Sequence, residues 1–335
     1  MKSYHFDRPG DVDSLVLRTH DDPTPGRREV LVRLRASSLN YRDIMILEGR
    51  YGRVPFTPAR VPLSDGAGEI VALGDDVSRF RLGDKVVGNA LPRWIAGKIT
   101  LDVLADQPGA NKDGMLTDLR VFHEDALVTM PDHLEFEEAA ALPGAGVTAW
   151  ASLETVHAGE TVLIQGTGGV SLFALQFAKL MGARVIATTS DDEKAERLKA
   201  LGADHVINYR KRRDWHVAVR EATAGRGADH VVEIGGAATL GQSIQATALG
   251  GQIELVGTLG GAATLDATVL SGNIVSIRWA SVGSRANFEA MNRAIAIHRL
   301  KPVIDRAFPF GDAGHAFHHF IGRSHIGKVV VRHDG

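Results

Sequence analysis

Cysteine is absent from this 335-residue chain. Disulfides, thiolate nucleophiles and thiolate metal ligands are therefore excluded together. Long apolar runs are missing as well. No segment reaches the about 18 apolar residues of a membrane-span candidate, and Met1-Lys2-Ser3-Tyr4-His5 has no apolar stretch behind its charge, so no signal peptide is expected. Nor does one sign of charge dominate: 38 Lys and Arg stand against 40 Asp and Glu, a formal net charge of −2. That balance gives no footprint for a polyanionic partner. The 14 histidines are scattered, and His5, His123, His315, His318 and His319 are not spaced like a zinc site. Internal repeats and low-complexity segments are lacking too. The expectation is a soluble, cytoplasmic protein acting on a small molecule, with no nucleic acid and no membrane among its partners.

What is present is an ordinary globular composition, 44% hydrophobic and 23% charged, on a chain long enough for two domains. The first third carries short β-prone runs, Val30–Leu34, Gly68–Leu73 and Lys85–Gly88, punctuated by Pro23, Pro25, Gly49, Pro55, Pro58, Pro62 and Gly83. Residues Leu91–Met115 are irregular and long enough for a functional loop. From about Glu135 strands alternate with helices. The spacing predicts strands at Thr161–Ile164, Arg184–Thr188, His205–Ile207, His230–Ile234, Ile253–Val256 and Ile274–Ala280, with helices between the earlier ones. Such alternation calls for an α/β fold with a doubly wound parallel sheet.

The first of those strands runs into Gly166-Thr167-Gly168-Gly169-Val170-Ser171. The helix behind that turn has Val170, Phe173, Ala174, Phe177, Ala178 and Met181 on one face, and Gly182 is a natural stop. A phosphate-binding turn needs glycines so that backbone can approach a pyrophosphate, and a helix whose free N–H groups and positive dipole end face the anion. Gly166, Gly168 and Gly169 meet the first need. Ser171 stands where the third glycine of G-x-G-x-x-G permits close helix–strand packing, and its small side chain should be tolerated. A dinucleotide site is the reading of this turn in its context.

At the end of the second strand a carboxylate would select NAD and a hydroxyl-plus-cation set NADP. Thr189, Ser190, Lys194 and Tyr209 favour NADP(H) over NAD(H). Ser190 and Glu193 also read as a helix capping box, and Asp191 and Asp192 stand near enough to serve NAD. Gly235, Gly257 and Thr258 end later strands, at the carboxyl edge where open sheets bind ligands.

Further motifs extend over nearly the whole chain: Gly83-Asp84-Lys85-Val86, Ala139-Ala140-Ala141-Leu142-Pro143, Val147-Thr148-Ala149-Trp150, Leu201-Gly202-Ala203-Asp204 and Gly327-Lys328-Val329-Val330. On these the chain resembles the medium-chain dehydrogenase/reductase superfamily, and within it the zinc-free quinone oxidoreductase and enoyl reductase branch, often labelled alcohol dehydrogenase-like. The resemblance implies a GroES-like β-rich catalytic domain over residues 1–127 and 285–335 and a Rossmann-fold cofactor domain over 128–284. It places Thr148 against the nicotinamide ring. It also places Asn40, Ser64 and Gly144 where zinc-dependent members hold their catalytic metal, so no zinc is expected. Asn40-Tyr41-Arg42-Asp43 followed by Gly49-Arg50-Tyr51-Gly52 matches the N-x-x-D…G-x-Y spacing of the zinc-free reductases.

In those reductases the tyrosine at the Tyr51 position stabilises or protonates the enolate left by hydride addition, a role a placed phenol can fill. The competing reading packs the Tyr51 ring on Pro55 or Phe56. Asn40 is a candidate contact to nicotinamide ribose or substrate. Asp43 is either catalytic or a structural acceptor, and Ser64-Asp65, which resembles the Ser-Asp of quinone reductases, either lines the pocket or shapes a turn. Trp94 could wall a substrate pocket; Trp279 reads better as core. The leading reading is an NADPH-dependent reduction of a quinone or of a carbonyl-activated C=C bond. The alternatives are metal-free alcohol or carbonyl chemistry and a non-catalytic, crystallin-like NADPH-binding protein. The apolar segment 273–280 reads as an edge strand that would leave an exposed liability, so a homodimer joined through it is expected.

Overall fold

The computed structural model describes residues 1–52, 54–257 and 267–333. In chain order the elements are β1 (Lys2–Phe6), β2 (Leu15–Thr19), β3 (Glu29–Ser38), α1 (Tyr41–Leu47), β4 (Asp65–Leu73), β5 (Lys85–Gly88), β6 (Leu119–His123), β7 (Leu127–Thr129), α2 (Phe136–Ala140) and α3 (Val147–Ser152). There follow β8 (Thr161–Gln165), α4 (Gly169–Leu180), β9 (Arg184–Thr189), α5 (Asp192–Ala200), β10 (His205–Asn208), α6 (Trp215–Ala222), β11 (Ala228–Glu233), α7 (Leu240–Ala246), β12 (Thr247–Leu255), α8 (Ala267–Asn273) and β13 (Ser276–Trp279). The chain closes with α9 (Arg285–His298), β14 (Ile304–Pro309), α10 (Ala313–Ile321) and β15 (Lys328–Arg332). None of the described helices is long and apolar enough to cross a membrane.

Two compact units divide the chain: Met1–Val147 with Val282–Gly335, and Thr148–Ser281. The sequence-based boundary fell earlier, at 127/128. Residues 128–147 stay with the first unit because β7 pairs with β5 and α2 packs on β3 and β4.

The first unit is rich in β-strands. Among the described residues its main sheet has the order β14-β15-β3-β4-β5-β7, with β6 paired to β3. The alternation along β3 buries Val30, Val32 and Leu34, because successive side chains of a strand point to opposite faces. They join Ile70, Val86, Phe122, Val329 and Val331 in one core, which Phe317 and Phe320 of α10 help to close. β15 lies antiparallel to β3, with Val330 opposite Ser38. That pairing brings Lys328, at the start of β15, to the chain segment that follows β3.

The second unit is a Rossmann-type sheet, ordered β10-β9-β8-β11-β12-β13 among the described residues and parallel at every pairing. β8 is buried throughout, which explains its unbroken apolar run: a parallel strand covered on both faces needs no polar alternation. Leu163, Ile186, Val231 and Ile253 form the sheet's part of a core that Trp215, Val219, Leu240 and Ile244 complete. The strand order reverses direction at β8, and open sheets of this kind bind ligands at the carboxyl end of such a switch point. One expectation fails at the edge. Trp279 is not core; it lies on β13, the last strand of the sheet among the described residues, and is 60% exposed.

Candidate functional site

β8 ends at Gln165 and the chain turns sharply into α4. Gly166 makes the turn with φ +71°, a conformation that favours glycine. Gly168 has an ordinary φ of −74° and stands at the N-cap of α4. A Cβ built on Gly168 would meet no heavy atom within 4 Å. Neither strain nor crowding within the described protein therefore requires glycine there. The open space above its backbone is what close approach of a pyrophosphate needs.

Among the described residues no side chain caps α4, and its first i→i−4 bond runs from Leu172 N to Gly168 O. The N–H groups of Gly169, Val170 and Ser171 lie ahead of that bond, as a helix N-terminus that receives an anion requires. Ser171 does more than fit in place of the third glycine. Its buried hydroxyl donates to Gln165 O at 2.6 Å, tying helix to strand.

A buried carboxylate braces the neighbouring loop. Glu233, fully buried at the end of β11, has Oε1 accepting from the backbone N–H of Gly235 at 2.7 Å and of Gly236 at 2.9 Å, and from the Thr239 hydroxyl. Its Oε2 accepts from Gln165 Nε2 at 2.8 Å and from the Ser243 hydroxyl. Gln165 returns through Oε1, which accepts from Ile234 N at 3.1 Å and Gly235 N at 3.3 Å. The Gly166 turn and the Gly235 loop are thus joined through two side chains. A Cβ on Gly235 would lie 2.3 Å from Thr239 Oγ1, and one on Gly257 2.3 Å from Ile234 O. Both glycines are therefore needed for packing in the protein itself. Thr258 lies outside the described residues.

At the end of β9, Thr189 is buried and Ser190 half-buried. The predicted capping box does not form. α5 starts one residue later than expected, with Asp191 as N-cap accepting from Lys194 N at 3.0 Å. A carboxylate accepts strongly from a helix N-terminus, and it leaves the Ser190 hydroxyl out of the cap. Asp192 is engaged as well, by Asn208 Nδ2 at 2.7 Å and Lys211 Nζ at 2.6 Å. These contacts hold its carboxyl below the ordinary range, the Lys211 bond contributing most. Tyr209 follows β10, is 41% exposed and donates its backbone N–H to Thr189 O. Lys194 is half-buried in the first turn of α5. Thr148, at the start of the second unit in α3, is buried.

In the first unit, Asn40, Ser64 and Gly144 do come together, around a buried ion pair. Lys328 Nζ donates to Leu39 O and to Asn40 Oδ1, each at 2.7 Å, and lies 3.8 Å from Asp65 Oδ2. Asp65 Oδ1 accepts from the Ser64 hydroxyl at 2.7 Å, and its Oδ2 from Gly144 N at 2.9 Å. Asn40 Nδ2 points at Ser64 Oγ, 3.5 Å away. A Cβ on Gly144 would fall 2.9 Å from both Asn40 Nδ2 and Asp65 Oδ2, so glycine is required for this packing. Burial lowers the Lys328 pKa, against the opposing pull of Asp65 and Asp43. Ser64 is fully buried; it supports Asn40 from behind rather than presenting an open face.

Asp43 is buried too. Its Oδ2 accepts from Asn40 N at 2.8 Å at the start of α1, the structural-acceptor reading of this residue. Burial pushes its pKa up to about 6, against the lowering effect of Arg42 and of its bond to Asn40. Asp43 also lines a small cleft with Phe6, Ile46, Phe56 and Arg60. Tyr51 is half-buried, and the Arg42 guanidinium lies 5.0 Å from its ring centroid. Arg42 Nη1 donates to Pro108 O at 3.2 Å, while its buried Nε and Nη2 have no hydrogen-bond partner among the described residues. Trp94 is half-buried, with Nε1 donating to Gly97 O and its carbonyl accepting from Arg285 N at the start of α9.

These residues do not fit a zinc ion. An amide, a hydroxyl and a glycine supply neither thiolate nor imidazole, and the Lys328 ammonium already occupies the Asn40 oxygen. Among the described residues, no group of three or more His, Asp or Glu could hold a metal.

Sequence reasoning missed Lys328, Gln165, Glu233 and Arg42 as contributors, and it named Asp65 with Ser64 without finding its cation. Two signals were available. Lys328 is a charge directly before the apolar run Val329–Val331, and Glu233 is an acid closing an apolar strand; a charge in such a place needs a buried partner.

Comparison with known proteins agrees with this architecture. Residues 26–132 match the family described as Alcohol dehydrogenase GroES-like domain, and residues 169–296 the one described as Zinc-binding dehydrogenase. A zinc-type alcohol dehydrogenase-like protein of Schizosaccharomyces pombe is 42% identical over 316 residues, 91% of each chain. A quinone oxidoreductase of Pseudomonas aeruginosa is 35% identical over 62% of this chain and 58% of its own length. Among solved structures, an NAD-dependent alcohol dehydrogenase superposes with a TM-score of 0.90 at 34% identity over 99% of both chains. A mycobacterial protein complexed with NADPH superposes with a TM-score of 0.82 at 26% identity, again over 99% of both chains. With its GroES-like unit, its nucleotide-binding sheet and relatives of this similarity, the chain belongs to the medium-chain dehydrogenase/reductase superfamily of oxidoreductases.

Proposed function

We propose that the protein is a zinc-independent, NADPH-dependent reductase whose acceptor is a quinone or a C=C bond conjugated to a carbonyl. One observation carries this reading: Asn40, Ser64 and Gly144, where the resemblance puts the catalytic metal of zinc-dependent members, supply an amide, a hydroxyl and a glycine packed around the Lys328–Asp65 ion pair. Polarisation of the substrate by a metal is replaced by hydrogen-bond donors. A bound reduced nicotinamide supplies the hydride.

The Gly166–Ser171 turn and the N-terminus of α4 would hold its pyrophosphate. Thr189, Ser190, Lys194 and Tyr209 would hold a ribose 2′-phosphate, and the engagement of Asp191 as a cap and of Asp192 with Lys211 favours NADP over NAD. As the β-carbon of the acceptor gains hydride, negative charge collects on its carbonyl oxygen. Tyr51 donates its phenolic proton toward that charge, and Asn40 donates an amide hydrogen bond. Asp43 fixes the backbone of Asn40 and stays a structural acceptor.

Tyr51→Phe tests the proton assignment. Turnover on the best acceptor should fall by about tenfold or more while NADPH affinity holds. Unchanged turnover would remove Tyr51 from the reaction.

A further inference from the structure

The sequence motif Gly327-Lys328-Val329-Val330 carries a buried cation for which the reaction above has no direct use. Lys328 is 2% exposed, sits at the first residue of β15 and spans to the segment leading into α1. Its ammonium has only donors to offer, so any atom within hydrogen-bond reach must be an acceptor. The side-chain atom of Asn40 at 2.7 Å is therefore Oδ1, by chemistry rather than by convention. An asparagine amide is otherwise free to turn over by 180°, exchanging donor for acceptor. Here that freedom is removed.

The consequences reach the opposite side of the amide. With Oδ1 held by Lys328, the Nδ2 group is directed away. It points toward Ser64 Oγ at the long distance of 3.5 Å, and Ser64 has already committed its proton to Asp65 Oδ1. Asp65 compensates the Lys328 charge and accepts from Gly144 N, while the missing side chain at Gly144 leaves the space the amide occupies. Asn40 is half-buried, the least enclosed member of a group whose other side chains are buried.

We infer that Lys328 is a positioning residue: it locks the Asn40 amide so that the Nδ2 hydrogen not aimed at Ser64 is what Asn40 offers its ligand. The ligand atom recognised there is an acceptor oxygen, a carbonyl or hydroxyl oxygen. Asp65 and Ser64 complete the lock, and Gly144 makes room for it. The inference rests on the functional reading above and adds how Asn40 is set for it.

The test is a double-mutant cycle on the full chain with NADPH and the best enone or quinone. Lys328→Met keeps the stem and removes the donors. It should lower kcat/KM by about tenfold or more, as expected for loss of a charge-assisted bond. In an Asn40→Ala background the same change should cost less than about twofold, because its effect passes through the amide. Equal losses in both backgrounds would overturn the inference, since a merely structural lysine acts regardless of Asn40.

If the wild type consumes no NADPH with any acceptor, the functional reading fails, and a second measurement decides on Lys328 alone. The Asn40 side-chain amide, observed by NMR after selective asparagine labelling, should shift on Lys328→Met while the backbone signals of α1 hold. An unshifted amide would overturn the lock.

Discussion

Replacing Glu233 by glutamine tests whether the carboxylate, rather than the shape, of this residue holds the second unit together. The change is isosteric and removes one acceptor atom in favour of an NH2 group. Placed at the Oε2 position, the new group would face Gln165 Nε2, a donor at 2.8 Å. Placed at Oε1, it would face the backbone N–H groups of Gly235 and Gly236, which cannot turn away. Gln165 cannot flip to compensate without losing the bonds its Oε1 accepts from Ile234 and Gly235.

Either placement loses at least one bond to a charged acceptor and weakens the others. A bond to a charged group contributes about 1.5–3 kcal/mol, and an unsatisfied buried donor costs a further 1–3 kcal/mol or so. A loss of roughly 3 kcal/mol or more is expected. Urea unfolding followed by the fluorescence of Trp215, which is buried in this unit, reads it directly. Affinity for NADPH should fall too, because the Gly235 loop and the Gly166 turn share this network. A change below about 0.5 kcal/mol, the usual range of a surface substitution, would refute the reasoning.

Other outcomes follow from the same geometry. Asp43 has a folded pKa of about 6, above its ordinary 3.8. The folded state thus holds the proton more tightly, and that stabilisation is present at low pH and lost as pH rises through about 6. Asp43→Asn keeps the acceptor for Asn40 N and never ionises. It should exceed the wild type by up to about 3 kcal/mol above pH 6, with the gap closing toward pH 4. Urea midpoints across that range check this, and a pH-independent gap would contradict it. Lys194→Ala should weaken NADPH binding at least several-fold more than NADH binding in a fluorescence titration; equal losses would withdraw the 2′-phosphate assignment. The exposed edge strand β13, with Trp279 at its end, should pair with a second copy, and Trp279→Lys should shift the sedimentation coefficient from dimer to monomer. A wild type that sediments as a monomer would end that proposal.

Much of the fold was legible because its signals are local. The run Thr161–Ile164, the glycines after it and the apolar stripe of α4 each state their own geometry. The absence of cysteine at the metal positions could be read from composition alone. What escaped depends on contacts distant in sequence. Lys328 meets Asn40 only because β15 pairs with β3, and no spacing in the chain announces it. Glu233 meets Gln165 across two neighbouring strands. The capping box failed for a nearer reason: Asp191 competes with Ser190 for the same helix start, and the acid wins. Trp279 misled because its strand was read as an edge while the side chain was read as buried, and how far a side chain of an edge strand is covered depends on packing that the strand's own sequence does not state.

The central claim, hydride transfer to a conjugated acceptor without a metal, meets its most direct test in one measurement. NADPH oxidation at 340 nm would be followed with chelator-treated protein against a panel of enones, quinones and aldehydes. The account predicts acceptor-dependent oxidation by enones or quinones that survives chelation and is not raised by added zinc. Activity that appears only with zinc, or tight NADPH binding with no acceptor above background, would contradict it.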